Sequence, residues 1–131
     1  MTAKPKPANN TKPAFPAKTE ILKAAKDTEE LESFWRDAKG VMDADAETLA
    51  VLLDKLAHTR RIAAALVQCG FNFHQGQIER LEHDRRRLLM LLGQRLKRDG
   101  LIGQPAPDMI TMEVEAWLRR RQMVEGFKAK W

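Results

Sequence analysis

Arginine and lysine side chains recur along the segment RLEHDRRRLLMLLGQRLKRDG, which occupies residues 80–100. Seven of its 21 residues are basic, and they surround the apolar run LLMLL at 88–92. A guanidinium group presents its N–H donors in a planar fork that suits the oxygens of a phosphate or a carboxylate. The segment therefore predicts binding to an anionic surface, which is a nucleic-acid backbone, an acidic protein or the chain's own acidic part.

Residue patterns that are typical of catalysis or metal binding are absent from the sequence. Cys69 and His74 are five residues apart, which is not a zinc spacing, and no orienting group or oxyanion site accompanies them as nucleophile and base. His58, His74 and His83 show no ligand spacing among themselves, and the scattered glycines form no phosphate-binding loop. We therefore expect a protein that is not an enzyme and that has no cofactor, no metal and no small-molecule substrate.

Charge is divided unevenly along the chain, whose net charge is +5. Residues 1–19 carry +4, residues 20–54 carry −6 and residues 55–131 carry +7. Such segregation is typical of proteins that bind a charged partner. The single cysteine excludes an internal disulfide, no apolar stretch approaches the roughly 20 residues of a membrane helix, and no secretory signal is present. These features predict a cytoplasmic protein without membrane contact.

The spacing of apolar residues predicts an all-α protein of about four helices. Apolar residues three and four positions apart predict a helix over 45–68, and the same spacing predicts another over 73–98. Because the connection between them is short, we expect a central antiparallel helical hairpin. A first helix is predicted over 19–42, with a break near Asp27 where DTEE offers a capping box, and a last helix over 109–128.

Residues 1–18 are rich in lysine, proline and alanine and contain four prolines. Proline opposes helix formation, and so polar a segment has too little apolar surface to form a core. We expect a flexible, disordered basic tail, followed by a single helical domain over 19–131. The tail is interpreted either as an arm that touches phosphates or as a solvated leader that keeps the protein in solution.

A helical wheel separates the arginines into two groups. Arg60, Arg85 and Arg121 lie on or beside the apolar faces of their helices, where an unpaired charge is costly. One interpretation is structural ion pairs at the edge of the bundle, with Glu32 and Glu82 as partners. The other is convergence of the three arginines on a shared anion site.

The second group points outward, mainly on the helix over 73–98. Its arginines form a row roughly 27 Å long at the rise of an α-helix, which is long enough to meet several phosphates. The residues predicted to contact nucleic acid are Arg80, Arg87, Arg95, Arg98 and Arg119, together with the tail lysines Lys4, Lys6 and Lys12.

These features favour a non-enzymatic helical accessory subunit that contacts a DNA or RNA backbone without strong sequence specificity. The connection over 69–76 is too long for the turn of a helix-turn-helix motif. In size, helix content and charge, the chain resembles small all-helical accessory subunits of nucleic-acid machines, such as those of phages, plasmids and CRISPR systems. The resemblance implies a mobile genetic element as its setting.

An alternative function is a protein–protein adaptor or assembly subunit, with a protein partner or as a homo-oligomer. It would use the heptad-like apolar faces of the two central helices and the side of the C-terminus that carries Trp117, Phe127 and Trp131. A third class, an inhibitor that mimics nucleic acid, needs a denser acidic face than residues 20–54 provide.

Overall fold

Five α-helices make up most of the computed structural model, which describes residues 14–72, 74–103 and 109–129. In chain order they are α1 (Lys18–Arg36), α2 (Ala38–Asp43), α3 (Ala46–Gln68), α4 (His74–Arg98) and α5 (Ile110–Ala129). No strand occurs in these ranges. The predicted all-α class is confirmed, and the ends of α3, α4 and α5 agree with prediction to within one residue.

The predicted first helix is divided, but at Asp37 rather than at Asp27. Asp27 is buried within α1, and its carboxylate accepts a hydrogen bond from the Lys23 ammonium at 2.8 Å. The carboxylate of Asp37 accepts a hydrogen bond from the backbone N–H of Gly40 at 3.0 Å and caps the six-residue α2. The prediction of a break near Asp27 was wrong because the pair with Lys23 engages that side chain inside a continuous helix.

The turn between α3 and α4 reverses the chain and forms the predicted hairpin. The carboxylate of Asp45 begins α3 by accepting a hydrogen bond from the Thr48 N–H at 2.8 Å, and this interaction lowers the pKa of Asp45. Gly70 ends α3 with φ of 103°, and the Phe71 N–H donates to the Leu66 carbonyl at 2.9 Å. This is the geometry of a Schellman motif, in which a glycine adopts the left-handed conformation that other residues disfavour.

The main core lies between α3 and α4 and extends to α1 and α5. Its central leucines occupy the heptad-like positions of the two long helices: Leu49, Leu52, Leu56, Leu81, Leu88, Leu92 and Leu96. Burial of each such side chain contributes roughly 1.5–3 kcal/mol to folding. These apolar faces pack against each other within the chain, so they are not free to bind a partner.

The apolar run over 88–92 is buried on more than one side because α4 lies in the middle of the bundle. Leu91 packs against the main core, and Gly93 lies against Ile110 and Val114 of α5. Within this run only Met90 is exposed.

Most of the predicted tail, residues 1–13, lies outside the described residues. The next four residues precede α1 without helical structure, and the Phe15 ring meets the Phe71 ring edge to face, with centroids 5.8 Å apart. This contact joins the start of the described chain to the turn between α3 and α4. None of the helices in the described ranges has the length and apolar character needed to cross a lipid bilayer.

The contact of Gly93 with α5 gives the first prediction. A Cβ atom at residue 93 would lie 3.0 Å from the Ile110 side chain, so Gly93→Leu should push α5 away and lower the free energy of unfolding by about 1–3 kcal/mol. Urea unfolding followed by circular dichroism measures the change. Gly76→Ala is the control, because no described residue beyond its chain neighbours and its own helix backbone lies within 4 Å of the added Cβ, and it should change stability by less than about 1 kcal/mol. Equal stability of the two variants would contradict this packing.

Candidate nucleic-acid interface

The solvent side of α4 carries four exposed arginines, which we call the basic face: Arg80, Arg86, Arg87 and Arg98. Their positions span roughly 27 Å of helix. Three of them were predicted, and Arg86 was missed although it precedes Arg87 on the solvent half of the same helix. The sequence-level signal for Arg86 was the triplet RRR itself, since Arg85 lies in the apolar stripe and the next residue is turned away from it by about 100°.

Arg87 is held in place by an aromatic ring of α1. Its guanidinium carbon lies 3.7 Å from the centroid of the Trp35 ring, and its Nη1 is 3.8 Å from the Asp84 carboxylate. Stacking covers one face of the guanidinium plane, while the side chain remains 47% exposed. An anion can therefore reach the N–H edges of a side chain that is already ordered, which lowers the entropic cost of binding.

The remaining three arginines have weak partners or none among the described residues. Arg80 is 69% exposed, and its Nη1 lies 3.9 Å from the Glu32 carboxylate of α1. Arg98 is 59% exposed, and its Nε donates to Asp99 at 3.1 Å. Arg86 forms no ion pair with any described residue. Exposed pairs of this kind contribute little energy, so a phosphate can compete for both paired arginines.

Most paired carboxylates of the acidic segment 20–54 have partners away from the basic face. Glu30 pairs with Lys55, and Glu47 and Asp54 both accept hydrogen bonds from Arg121. The hydrogen bonds that Arg121 donates to Glu47 raise the pKa of Arg121 above its ordinary value, so this partly buried arginine stays charged. Among the described residues, Glu32 is the one carboxylate of this segment that pairs with the basic face.

Arg95 binds backbone carbonyls of the chain itself and does not point freely into solvent. Its Nε donates to the Ala44 carbonyl at 2.9 Å, and its Nη2 donates to the carbonyls of Val41 and Met42 at 3.0 and 2.9 Å. These carbonyls end α2, where a cation is favoured by the helix dipole. Arg95 was predicted to contact nucleic acid, but its donors are used to attach α2 to α4, and we leave it out of the basic face.

The other predicted contact residues are not brought to the basic face. Arg119 lies exposed on α5, beside Met112 in an open groove. The tail lysines Lys4, Lys6 and Lys12 lie outside the described residues. All residues of the candidate interface therefore lie on α4.

Comparisons with protein-family models, with curated proteins and with solved structures give no match to this chain. In the ranges that the structure describes, no three His, Cys, Asp or Glu side chains come together in a way that could hold a metal ion.

Asp84 is the buried acid behind the basic face. Its burial raises the pKa of the carboxyl above the ordinary value of 3.8, and the Arg87 cation opposes this shift only in part. The folded chain thus holds this proton more tightly than the unfolded chain does. The carboxyl stabilises the fold fully below pH 3.8, and that contribution is lost as the pH rises through its folded pKa.

The raised pKa of Asp84 gives the second prediction. Asp84→Asn removes a carboxylate that is poorly solvated at neutral pH, so the variant should have a higher free energy of unfolding than the wild type at neutral pH. The difference should shrink in acid, where Asp84 is protonated. Urea titrations across the acidic to neutral range measure it. Glu29→Gln, which changes an exposed acid on α1, should alter stability by less than about 0.5 kcal/mol at any pH. A less stable Asp84→Asn variant at neutral pH would show that the ion pair with Arg87 outweighs desolvation.

Proposed function

We propose that this protein is a non-enzymatic helical accessory subunit that contacts DNA or RNA backbones through the basic face of α4. The observation that carries the proposal is the exposure of four arginines on the solvent side of α4. Among the described residues, one carboxylate of another helix approaches them, that of Glu32 at 3.9 Å from Arg80. The size, helix content and charge of the chain support a place in a cytoplasmic nucleic-acid assembly, such as one encoded by a mobile genetic element.

Helix α4 combines a strong charge with an extended shape. It contains seven basic and three acidic residues, which gives +4 for the helix. At the α-helical rise, Arg86 and Arg87 lie roughly 10 Å from Arg80 along the axis, and Arg98 lies roughly 17 Å further. A duplex presents one negative charge about every 1.7 Å, so each of these arginines can meet its own phosphate.

The packing of α4 favours backbone contact over base reading. A recognition helix enters the major groove with much of its surface free, because the groove is only about 12 Å wide. Here α4 contacts α3 on one side, α5 on another and Trp35 of α1 on a third. One strip of its surface remains open, and it carries the four arginines of the basic face together with Glu79, His83, Met90 and Gln94. Such a surface suits phosphates of any sequence.

Charge reversal on the basic face gives the third prediction. Arg86→Glu combined with Arg98→Glu should weaken binding at least tenfold for duplex DNA of two unrelated sequences, because two of four phosphate contacts become repulsive. Fluorescence anisotropy with labelled duplexes and single strands measures the affinity. Lys26→Glu combined with Lys39→Glu on α1 and α2 is the matched control, since it makes the same change in net charge on another surface.

The same experiment also measures how the affinity depends on salt concentration. Neutralising four phosphates predicts a slope of about −3.6 for log affinity against log salt concentration, and the charge-reversed variant should show a shallower slope. Wild-type binding that ignores salt, or equal losses in the variant and its control, would overturn the proposal.

A second function, a protein–protein adaptor, is favoured by exposed methionines on α4 and α5 and just before α5. Met90, Met109, Met112 and Met123 are all exposed, and flexible methionines are typical of surfaces that bind protein partners. The heptad faces first considered for this role are buried between α3 and α4. Trp117 packs against the main core, and the side chains of Phe127 and Trp131 lie outside the described residues.

Self-association through these methionines gives the fourth prediction. If the adaptor function holds, light scattering over a concentration series should show a homodimer or larger oligomer that Met112→Glu combined with Met123→Glu converts to monomer. Arg86→Glu combined with Arg98→Glu should leave that oligomer intact. A monomer at all concentrations would remove the homo-oligomer form of this function.

A further inference from the structure

A second basic surface lies in a cleft between α3, α4 and α5, separate from the basic face. The cleft has a volume of about 300 Å³, which is at the lower end of the range for small-ligand pockets. Its apolar floor is formed by four leucines: Leu53, Leu56, Leu89 and Leu118. Three arginines also line it: Arg60, Arg61 and Arg85.

The three arginines differ in how they are paired. Arg60 on α3 lies 2.6 Å from the Glu82 carboxylate of α4, and Arg85 on α4 lies 3.1 Å from the Glu115 carboxylate of α5. These two ion pairs cross from helix to helix and lie where the three helices meet. Arg61 forms no ion pair with any described residue. Asp54 also lines the cleft and pairs with Arg121. The cleft therefore holds one arginine without an ion pair to any described residue, next to two paired ones.

This arrangement changes one sequence-based hypothesis. The hypothesis of a shared anion site required the arginines to converge, and Arg60 and Arg85 do line a common cleft. The hypothesis of structural ion pairs required Glu82 as a partner, and Glu82 pairs with Arg60. Arg121 does not line the cleft, because Glu47 and Asp54 hold it. Arg61, which neither hypothesis included, takes its place.

We infer that this cleft binds an amphiphilic anion, a molecule with one carboxylate or phosphate head group on a short apolar body. The head group would pair with Arg61, within reach of Arg60 and Arg85, and the apolar body would cover the four leucines. An anion without an apolar body would leave the apolar floor of the cleft uncovered. A neutral apolar molecule would leave Arg61 without a counter-charge, so neither of these ligands fits as well.

The cleft is suited to binding and not to reaction. None of the described residues that line it is a serine, a cysteine or a histidine, and its one carboxylate, Asp54, accepts a hydrogen bond from Arg121. The site goes beyond the proposed function of the basic face. Arg85 and Arg86 are consecutive residues, and the helical rotation of about 100° per residue turns one toward the cleft and the other toward solvent.

Five probe compounds test this inference and give the fifth prediction. Octanoate and octyl phosphate should bind, as measured by calorimetry and by chemical-shift changes of the leucine methyl groups in the cleft. Butyrate should bind at least tenfold more weakly than octanoate, because it buries fewer methylene groups. Inorganic phosphate and neutral 1-octanol should each bind at least tenfold more weakly than octyl phosphate.

Three variants separate the inferred site from non-specific association. Arg61→Gln should weaken octanoate binding at least tenfold, and Ala57→Leu should do the same by filling the cleft without a change of charge. Lys26→Gln, which removes one exposed positive charge from α1, is the control and should bind octanoate like the wild type.

The outcomes of this test do not depend on nucleic-acid binding. Arg86→Glu combined with Arg98→Glu should keep its affinity for octanoate, so failure of the basic face and failure of the cleft can be told apart. Equal octanoate binding by the wild type, Arg61→Gln and Ala57→Leu would overturn the inference, as would wild-type methyl shifts outside the cleft. Stronger binding of inorganic phosphate than of octyl phosphate would also overturn it, because the apolar floor would then have no part.

Discussion

The packing of the leucine faces of α3 against α4 is the contact on which the remaining structure depends. It fixes which side of each helix is buried, and so it fixes which arginines point inward and which point to solvent. The acidic α1 and the C-terminal α5 then pack against this hairpin, and Gly93 permits the close approach of α5. With α4 covered on three sides, its charged residues share one open strip and the edges of the bundle.

The arginines of this protein have different contacts because they lie at different distances from the core. Arg121 is 14% exposed and needs two carboxylates, since a partly buried cation without partners is costly. Arg95 reaches three carbonyls at the end of α2 and joins two distant segments. Arg87 is stacked on Trp35 and still partly exposed, while Arg86 remains in water. The same residue type therefore serves folding at one position and is available for binding at another.

The two anionic partners that we propose would contact the same helix on separate sides, because its turns direct charge to both. The basic face is long, open and nearly free of apolar side chains, which matches a repeating phosphate backbone. The cleft beside Arg85 is short, partly enclosed and has a leucine floor, which matches a single head group with an apolar body. A nucleic acid is too highly charged for the cleft, and a small amphiphile has too few charges for the basic face.

The sequence by itself determined the helices, because apolar spacing and end signals such as the Asp45 cap act within a few residues. It also determined the outward direction of Arg80, Arg87 and Arg98, since these follow from the period of a single helix. It failed at the break between α1 and α2, where a local capping pattern near Asp27 competed with an ion pair inside the helix.

Only the tertiary structure decided which partner each arginine side chain contacts. Arg95 meets carbonyls more than 50 residues earlier, Arg121 meets Glu47 and Asp54 across the bundle, and Arg87 meets the Trp35 ring. Such contacts depend on how separate helices cross, and a helical wheel contains no information about a neighbouring helix. The direction of a charged side chain is therefore set by local geometry, whereas its partner is set by packing between segments that are far apart in the chain.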